Sequence, residues 1–171
     1  NRIGDAALLF AVFILLSLFR DTRFSFLFGM LSSANPALLG LAGFLLICGA
    51  AAKSAQFPLY FWLPDAMEGP TPASALMHAA TMVTAGIYLL IRSWPIVASV
   101  EGLPTFLAML GAATAVGAGV LACVQTDLKR ILAYSTVSHL GLMTFALGLH
   151  QSGAALFHLI THGFFKAALF L

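Results

Sequence analysis

Hydrophobic residues occur along this chain in long runs, separated by short clusters of prolines, glycines and charged residues. A helix needs about 20 mostly apolar residues to cross a bilayer, and runs of that length predict about six spans. Membrane-spanning β-strands would instead alternate apolar and polar residues over about ten positions. The pattern therefore predicts an all-α, polytopic transmembrane helix bundle. The predicted spans are Ile3–Phe19, 35–52, Ser74–Ile91, Leu103–Val124, Ile131–Leu149 and a sixth that begins at Gly153.

The second span is predicted to be discontinuous. Lys53 follows its apolar run, and Pro58 lies in the apolar sequence beyond. Proline removes a backbone donor and clashes with the preceding turn, so Pro58 predicts a break, with a short helical piece then running to Trp62. Backbone carbonyls freed at such a break can line a water-filled cavity and accept donors from Lys53.

The composition supports a membrane protein and excludes other classes. Hydrophobic residues make up 61% of the 171 residues and charged residues only 8%, which leaves too little polar surface for a water-soluble domain of this size. The formal net charge of +2 is too small, and its residues too scattered, for a nucleic-acid surface. The first residue is Asn1 and the last, Leu171, lies within an apolar run, so we expect a piece of a longer chain.

Lys53 is the most informative charged residue of the predicted spans. An ionised side chain at the bilayer centre costs about 2.5 to 3.5 kcal/mol on insertion scales, so such residues tend to be functional. The structural alternative is that the lysine reaches out to the membrane interface. Apolar sequence extends on both sides of Lys53 as far as Trp62, which favours a functional, intramembrane lysine.

His158, His162 and Lys166 are spaced four residues apart in the sixth span. They therefore lie on one stripe of the helix, separated by a rise of about 6 Å per step. Imidazole donates and accepts hydrogen bonds and titrates near neutral pH, which suits a proton relay. The same residues are also compatible with metal binding, or with a structural face that bonds neighbouring helices.

Two further histidines are ambiguous. His78 lies among small residues of the third span, where it is equally compatible with a relay and with close helix packing. His139 lies near Ser135 and Ser138 in the fifth span, and there packing is the favoured interpretation.

Six segments of the chain resemble, in order and spacing, the proton-conducting membrane subunits of respiratory complex I. They are KSAQFP at 53–58, WLPDAMEGPTP at 62–72, HAATMV at 78–83, QTDLKR at 125–130, AYST at 133–136, and FHL, TH and FFK within 157–166. The resemblance extends over essentially the whole chain. Within that family it is strongest to the large antiporter-like type, known as subunit L in bacteria and subunit five in mitochondria.

A related family remains an alternative. The large subunit of multisubunit sodium/proton antiporters tends to carry a lysine at the position of Thr84 and differs in the small residues around His78. Thr84 therefore favours the complex I type.

The resemblance implies a fold of two inverted five-helix repeats, each with one discontinuous helix. This chain would be a single transmembrane domain, with the end of the first repeat at about 1–93 and the start of the second at about 103–171. By resemblance, Lys53 is the central proton-holding lysine, His78 the next relay member, and His158, His162 and Lys166 the link onward. Asp5, Asp127 and Lys129 occupy supporting positions at helix ends. The glutamate that pairs with this lysine in the family cannot be identified in this chain.

The resemblance also implies how the chain would work with partners. The sequence contains no dinucleotide fingerprint, no cysteine cluster for iron and sulfur, and no haem-ligand pair in a suitable context. NAD, flavin, iron–sulfur clusters and quinone are therefore expected in partner subunits, with no cofactor or metal on this chain. We expect an integral membrane protein of the bacterial plasma membrane or an equivalent energy-transducing inner membrane. A purely structural membrane subunit is the remaining alternative.

Overall fold

The computed structural model describes residues 1–21, 23–79 and 81–170, and the side chains of Pro72, Ala73, His78 and Ala79 lie outside that description. The described residues fold into α-helices joined by short turns. In chain order the helices are α1 (Arg2–Phe19), α2 (Phe24–Met30), α3 (Pro36–Lys53), α4 (Trp62–Asp65), α5 (Thr71–Ala79), α6 (Thr84–Arg92), α7 (Trp94–Ala98), α8 (Leu103–Val124), α9 (Leu128–Gly148) and α10 (Ser152–Phe170). Short 3₁₀ turns follow α2 at Leu31–Ser33 and α4 at Ala66–Glu68.

Five of these helices, namely α1, α3, α8, α9 and α10, are long and apolar enough to cross a membrane. They correspond to five of the six predicted spans, so the predicted polytopic all-α bundle is confirmed. The start of α3 is set by Asn35, whose side chain accepts the Ala37 N–H at 3.0 Å, with Pro36 in the first turn. Asp127 caps α9 in the same way by accepting the Lys129 N–H at 3.0 Å.

The predicted interruption of the second span is present, but it begins before Pro58. Helix α3 ends at Lys53, and the short helix α4 begins at Trp62 instead of ending there. Ala55 adopts the left-handed conformation with φ 50°, which lets the Gln56 N–H reach the carbonyl of Ala51 at 2.9 Å. This is a Schellman-type helix end. The residues that follow Lys53, and not Pro58 alone, therefore end the helix.

The third span contains a second interruption that the sequence analysis does not predict. It was expected to run without a break over Ser74–Ile91, whereas α5 ends at Ala79 and α6 begins at Thr84. The Thr81 hydroxyl donates to the Leu76 carbonyl at 3.0 Å, and the Thr84 hydroxyl donates to the Thr81 carbonyl at 3.3 Å. These hydroxyls give the two carbonyls partners beside the interruption.

Contacts between helix ends define two opposite faces of the bundle. On the loop face, the Lys129 ammonium at the start of α9 donates to the Gly69 carbonyl at 3.2 Å. On the arginine face, defined by Arg20, Arg23 and Arg92, the Arg92 guanidinium lies 5.5 Å from the ring centroid of Phe24. Helix α3 therefore starts at the arginine face and runs toward the loop face.

Small residues bring α8 and α9 into close contact. A side-chain carbon built on Gly141 would lie 2.6 Å from the backbone nitrogen of Ala115, and one built on Gly111 would collide with the backbone of Phe145. Close approach of this kind is how helices associate in a membrane. The main core surrounds the interruption after α3, because Ala55 belongs to the same buried cluster as residues from α3, α4, α6, α9 and α10.

Candidate functional site

The interruption after α3 begins inside the bundle, where Ser54, Ala55 and Gln56 are at most 1% exposed, and Phe57 is then 53% exposed. Leu103, the first residue of α8, packs against Gly43 of α3. The Phe57 N–H, within the interruption, donates to the Thr114 hydroxyl at 3.1 Å. Thr114 lies near the middle of α8, a helix of 22 residues that is about 33 Å long. The loop that follows Lys53 is therefore level with the middle of a membrane-spanning helix.

The backbone carbonyls freed at the end of α3 have partners. The Ala51 carbonyl accepts the Gln56 N–H at 2.9 Å. The Trp62 indole N–H, from the start of α4, donates to the Ala52 carbonyl at 3.2 Å. Irregular backbone is tolerated at membrane depth only when its polar groups are satisfied in this way. The loop is therefore an ordered interruption.

Lys53 is ion-paired with Asp5. Its Nζ lies 2.7 Å from Asp5 Oδ1, and the two side chains keep 34% and 38% of their surface exposed. The pair forms because α1 and α3 are antiparallel, with Gly4 of α1 against Ala52 of α3. Each charge also complements its helix, since Asp5 lies in a first turn and Lys53 in a last turn. The structure thus places a lysine beside an interruption and gives it a carboxylate partner.

The sequence analysis placed Asp5 at a helix end and Lys53 at a break but did not pair them. A signal was available: Asp5 is the only acidic residue of the first predicted span, and neighbouring spans are usually antiparallel. The partner of Lys53 in this chain is therefore an aspartate on α1.

The predicted stripe on α10 is partly enclosed. His162 and Lys166 are fully buried and His158 is partly buried. The Lys166 ammonium donates to the Leu132 carbonyl and to the Ser135 hydroxyl of α9, each at 3.0 Å. Two of the predicted relay residues therefore lie inside the protein, and the lysine is fixed against α9.

His139 joins this stripe, although sequence reasoning favoured a packing role. Its Nδ1 lies 3.1 Å from His158 Nε2. Its ring centroid is 5.6 Å from that of His162 and 5.2 Å from that of Phe165. A short turn joins α9 to α10, so residues set back by similar distances from that turn face each other. The positions of His139 and His158 relative to the turn can be read from the sequence, but they indicate a contact only once α9 and α10 are known to pair.

The other predicted site residues are elsewhere. The His78 side chain lies outside the described residues, so its predicted role stays a prediction. Asp127 caps α9, and Lys129 bonds the Gly69 carbonyl at the loop face. Pro58 lies within the interruption, after the residues that end α3. In the described part of the chain, no group of three or more histidine, cysteine or acidic side chains is arranged to hold a metal ion.

The chain is similar in sequence to subunits of NADH-oxidising complexes. It is 51% identical over 171 residues to NADH-ubiquinone oxidoreductase chain 5 of Schizophyllum commune, matching all of this chain and 25% of that protein. It is 47% identical over 173 residues to NADH-quinone oxidoreductase subunit L of Mycobacterium tuberculosis, matching all of this chain and 27% of that protein. The chain therefore spans about a quarter of the length of these curated relatives.

Solved structures show the same fold. A chain of the Mrp complex from Dietzia sp. DQ12-45-1b is 40% identical with a TM-score of 0.92, and the match covers 98% of this chain and 19% of that one. A chain of the membrane-bound sulfane sulfur reductase, an archaeal respiratory membrane complex, is 28% identical with a TM-score of 0.90, over 98% of this chain and 36% of that one.

The whole chain, residues 1–171, matches the family described as NADH:quinone oxidoreductase/Mrp antiporter, TM. The resemblance inferred from the motifs is thereby confirmed. This integral membrane protein belongs to the NADH:quinone oxidoreductase/Mrp antiporter family.

Proposed function

We propose that this chain is part of a proton-translocating membrane subunit of an NADH:quinone oxidoreductase. The observation that supports this most directly is the Lys53–Asp5 pair, 2.7 Å apart at the end of an interrupted helix. A lysine can hold or release a proton, and the position of a neighbouring carboxylate changes which state is favoured. A shift of one pKa unit corresponds to about 1.4 kcal/mol, which a charge moving a few ångströms in a poorly screened interior readily supplies.

In this proposal the residues of α9 and α10 carry the proton onward. His158, His162 and Lys166 are spaced one helical turn apart, and two of them are fully buried. Imidazole rings both donate and accept, so a proton can enter on one nitrogen and leave from the other. His78 lies between Lys53 and the α10 residues in sequence, and we assign it the proton-transfer step between them.

The energy for transport would come from partner subunits. NAD, flavin, iron–sulfur clusters and quinone are assigned to those partners, and this chain would be a non-redox component of the translocase. Its direct partners would be other membrane subunits and the lipid bilayer. We assign residues 1–93 to the end of one inverted repeat and 103–171 to the start of the next. The membrane would be a bacterial plasma membrane or an equivalent energy-transducing membrane.

A second candidate is the large subunit of a multisubunit sodium/proton antiporter. The 40% identity to a chain of the Mrp complex favours it, whereas the higher identity to chain 5 and subunit L proteins and the threonine at position 84 favour the first candidate. Purification of the complete complex distinguishes the two. Co-purifying subunits with flavin and iron–sulfur spectra support the first, and small membrane subunits alone support the second.

A purely structural role is tested by replacing Lys53 in the complete complex. Lys53→Arg keeps a positive charge near Asp5 but does not release its proton, because arginine stays protonated. We expect this variant to insert and assemble while proton translocation in reconstituted vesicles is lost. Lys53→Ala is expected to lose translocation as well, with membrane insertion retained.

The matched control is Arg130→Gln, which removes a positive charge from an exposed position on the loop face. We expect this variant to translocate protons normally. Normal translocation by Lys53→Arg and Lys53→Ala would leave only the structural role.

A further inference from the structure

We propose that His139 is a positioning residue that fixes the ring orientation of His158 and the role of its second nitrogen through a single hydrogen bond. The inference rests on the proposed function, since it concerns the same proton relay. The observation behind it is the distance of 3.1 Å between His139 Nδ1 and His158 Nε2.

A nitrogen–nitrogen contact at this distance holds one hydrogen atom. A neutral imidazole has one donor nitrogen and one acceptor nitrogen. If His139 Nδ1 donates, His158 Nε2 is the acceptor and His158 carries its own hydrogen on Nδ1. If His158 Nε2 donates, its Nδ1 is the acceptor for the next group. The direction of the bond therefore decides whether Nδ1 of His158 is a donor or an acceptor.

The surroundings hold the His139 ring in place for this bond. The preceding residue, Ser138, donates from its hydroxyl to the Ala115 carbonyl at 2.8 Å, which ties this turn of α9 to α8. The Phe165 ring packs edge-on against the His139 ring at 5.2 Å between centroids. The His162 ring lies 5.6 Å away on the same side. His139 therefore presents Nδ1 to His158 from a supported position.

The contact also limits how many protons the pair accepts. If both rings were imidazolium, every ring nitrogen would carry a hydrogen, and two N–H groups would face each other across the contact. The pair therefore accepts one additional proton with its hydrogen bond intact, and a second one breaks it. His158 must pass a proton on before the pair takes another in the same geometry.

The test compares three variants of the full-length subunit in the complete, reconstituted complex. His139→Leu removes the bond to His158. His139→Asn restores a donor and an acceptor at the position of Nδ1 without a titratable ring. Thr144→Val is the matched control, because it removes a buried hydroxyl of the same helix whose hydrogen bond goes to the Leu140 carbonyl and not to a histidine. If His139→Leu prevents assembly, His139→Ala, which also lacks a polar side-chain atom, takes its place.

We expect His139→Leu to slow proton translocation by about tenfold, equivalent to one lost hydrogen bond of about 1.4 kcal/mol in the transfer step. His139→Asn and Thr144→Val should stay close to the parent rate. In ¹⁵N spectra of histidine-labelled subunit, the hydrogen-bonded signal of His158, assigned by its loss in His158→Phe, should disappear in His139→Leu and persist in His139→Asn.

A parent-like rate in His139→Leu overturns the proposal. A rate in His139→Asn as slow as in His139→Leu also overturns it, because the titration of His139 itself would then be required. An unchanged His158 signal in His139→Leu also overturns it, and this spectral result does not depend on transport. Failure of the positioning role is thus distinguishable from failure of the proposed function, which the Lys53 variants test.

Discussion

Removing the Thr114 hydroxyl should loosen the interruption after α3. Thr114 accepts the Phe57 N–H at 3.1 Å and is only 2% exposed. Thr114→Val keeps the shape of the side chain, so no cavity is created, but the Phe57 N–H loses its acceptor. The Thr114 hydroxyl also donates to the Leu110 carbonyl at 2.7 Å. That carbonyl keeps its partner in the helical ladder, so its loss costs little.

The size of the effect of Thr114→Val on the loop follows from the Phe57 N–H, which is left without an acceptor. A donor that loses its partner away from water costs about 1 to 3 kcal/mol, and the Phe57 N–H faces the buried Thr114 hydroxyl. Because about 1.4 kcal/mol is a factor of ten in an equilibrium constant, the open state of the loop should become roughly 5- to 150-fold more populated. The effect should be confined to residues 54–61, since α3 and α8 keep their own ladders.

Amide hydrogen exchange of the purified full-length subunit measures this opening. Peptides covering 54–61 should exchange faster in Thr114→Val by about that factor, whereas Thr114→Ser, which keeps the hydroxyl, should exchange like the parent. Thr144→Val is the matched control, since Thr144 is fully buried and its hydroxyl bonds the Leu140 carbonyl of its own helix at 2.6 Å. Unchanged exchange in Thr114→Val, or an equal increase at 54–61 in Thr144→Val, would refute the reasoning.

Two further predictions concern packing and the end of α3. Gly111→Ala places a methyl group against the backbone of Phe145, so we expect a loss of about 1 to 3 kcal/mol in the free energy of unfolding in detergent. Gly117→Ala, where nothing lies within 4 Å, should not destabilise the protein, and equal losses would contradict the close approach. Trp62→Phe removes the donor to the Ala52 carbonyl and should lower the free energy of unfolding in detergent by about 1 kcal/mol. An unchanged midpoint of the unfolding transition would show that this hydrogen bond contributes nothing to stability.

The membrane helices could be predicted from sequence because length and hydropathy decide them. The predicted span Leu103–Val124 coincides with α8, and Pro36 and Asp127 mark the starts of their helices. These features are local: a capping side chain or an apolar run acts on its own neighbours. An interruption after Lys53 was also predictable, because Pro58 does not support a continuous helix.

Other features were not predictable in the same way. The stretch 80–83 between α5 and α6 contains no proline or glycine that would mark an interruption in the sequence. The pairing of Lys53 with Asp5 depends on the alignment of α1 against α3, and the bond from His139 to His158 on that of α9 against α10. Small shifts along a helix pair would separate these side chains, and hydropathy does not determine such shifts.

The environments of the partly exposed Lys53 and the buried Lys166 differ in a way that bears on proton transfer. Lys53 binds a carboxylate, so its bond includes a charge attraction that is lost when the lysine becomes neutral. Lys166 donates to a carbonyl and a hydroxyl, and an ammonium has three donors where a neutral amine keeps two. Lys166 can therefore change its protonation state without giving up either bond, whereas Lys53 cannot do so without weakening its attachment to α1. We therefore expect the Lys53 side chain to move relative to α1 when its charge changes, and the Lys166 side chain to stay in place when its own charge changes.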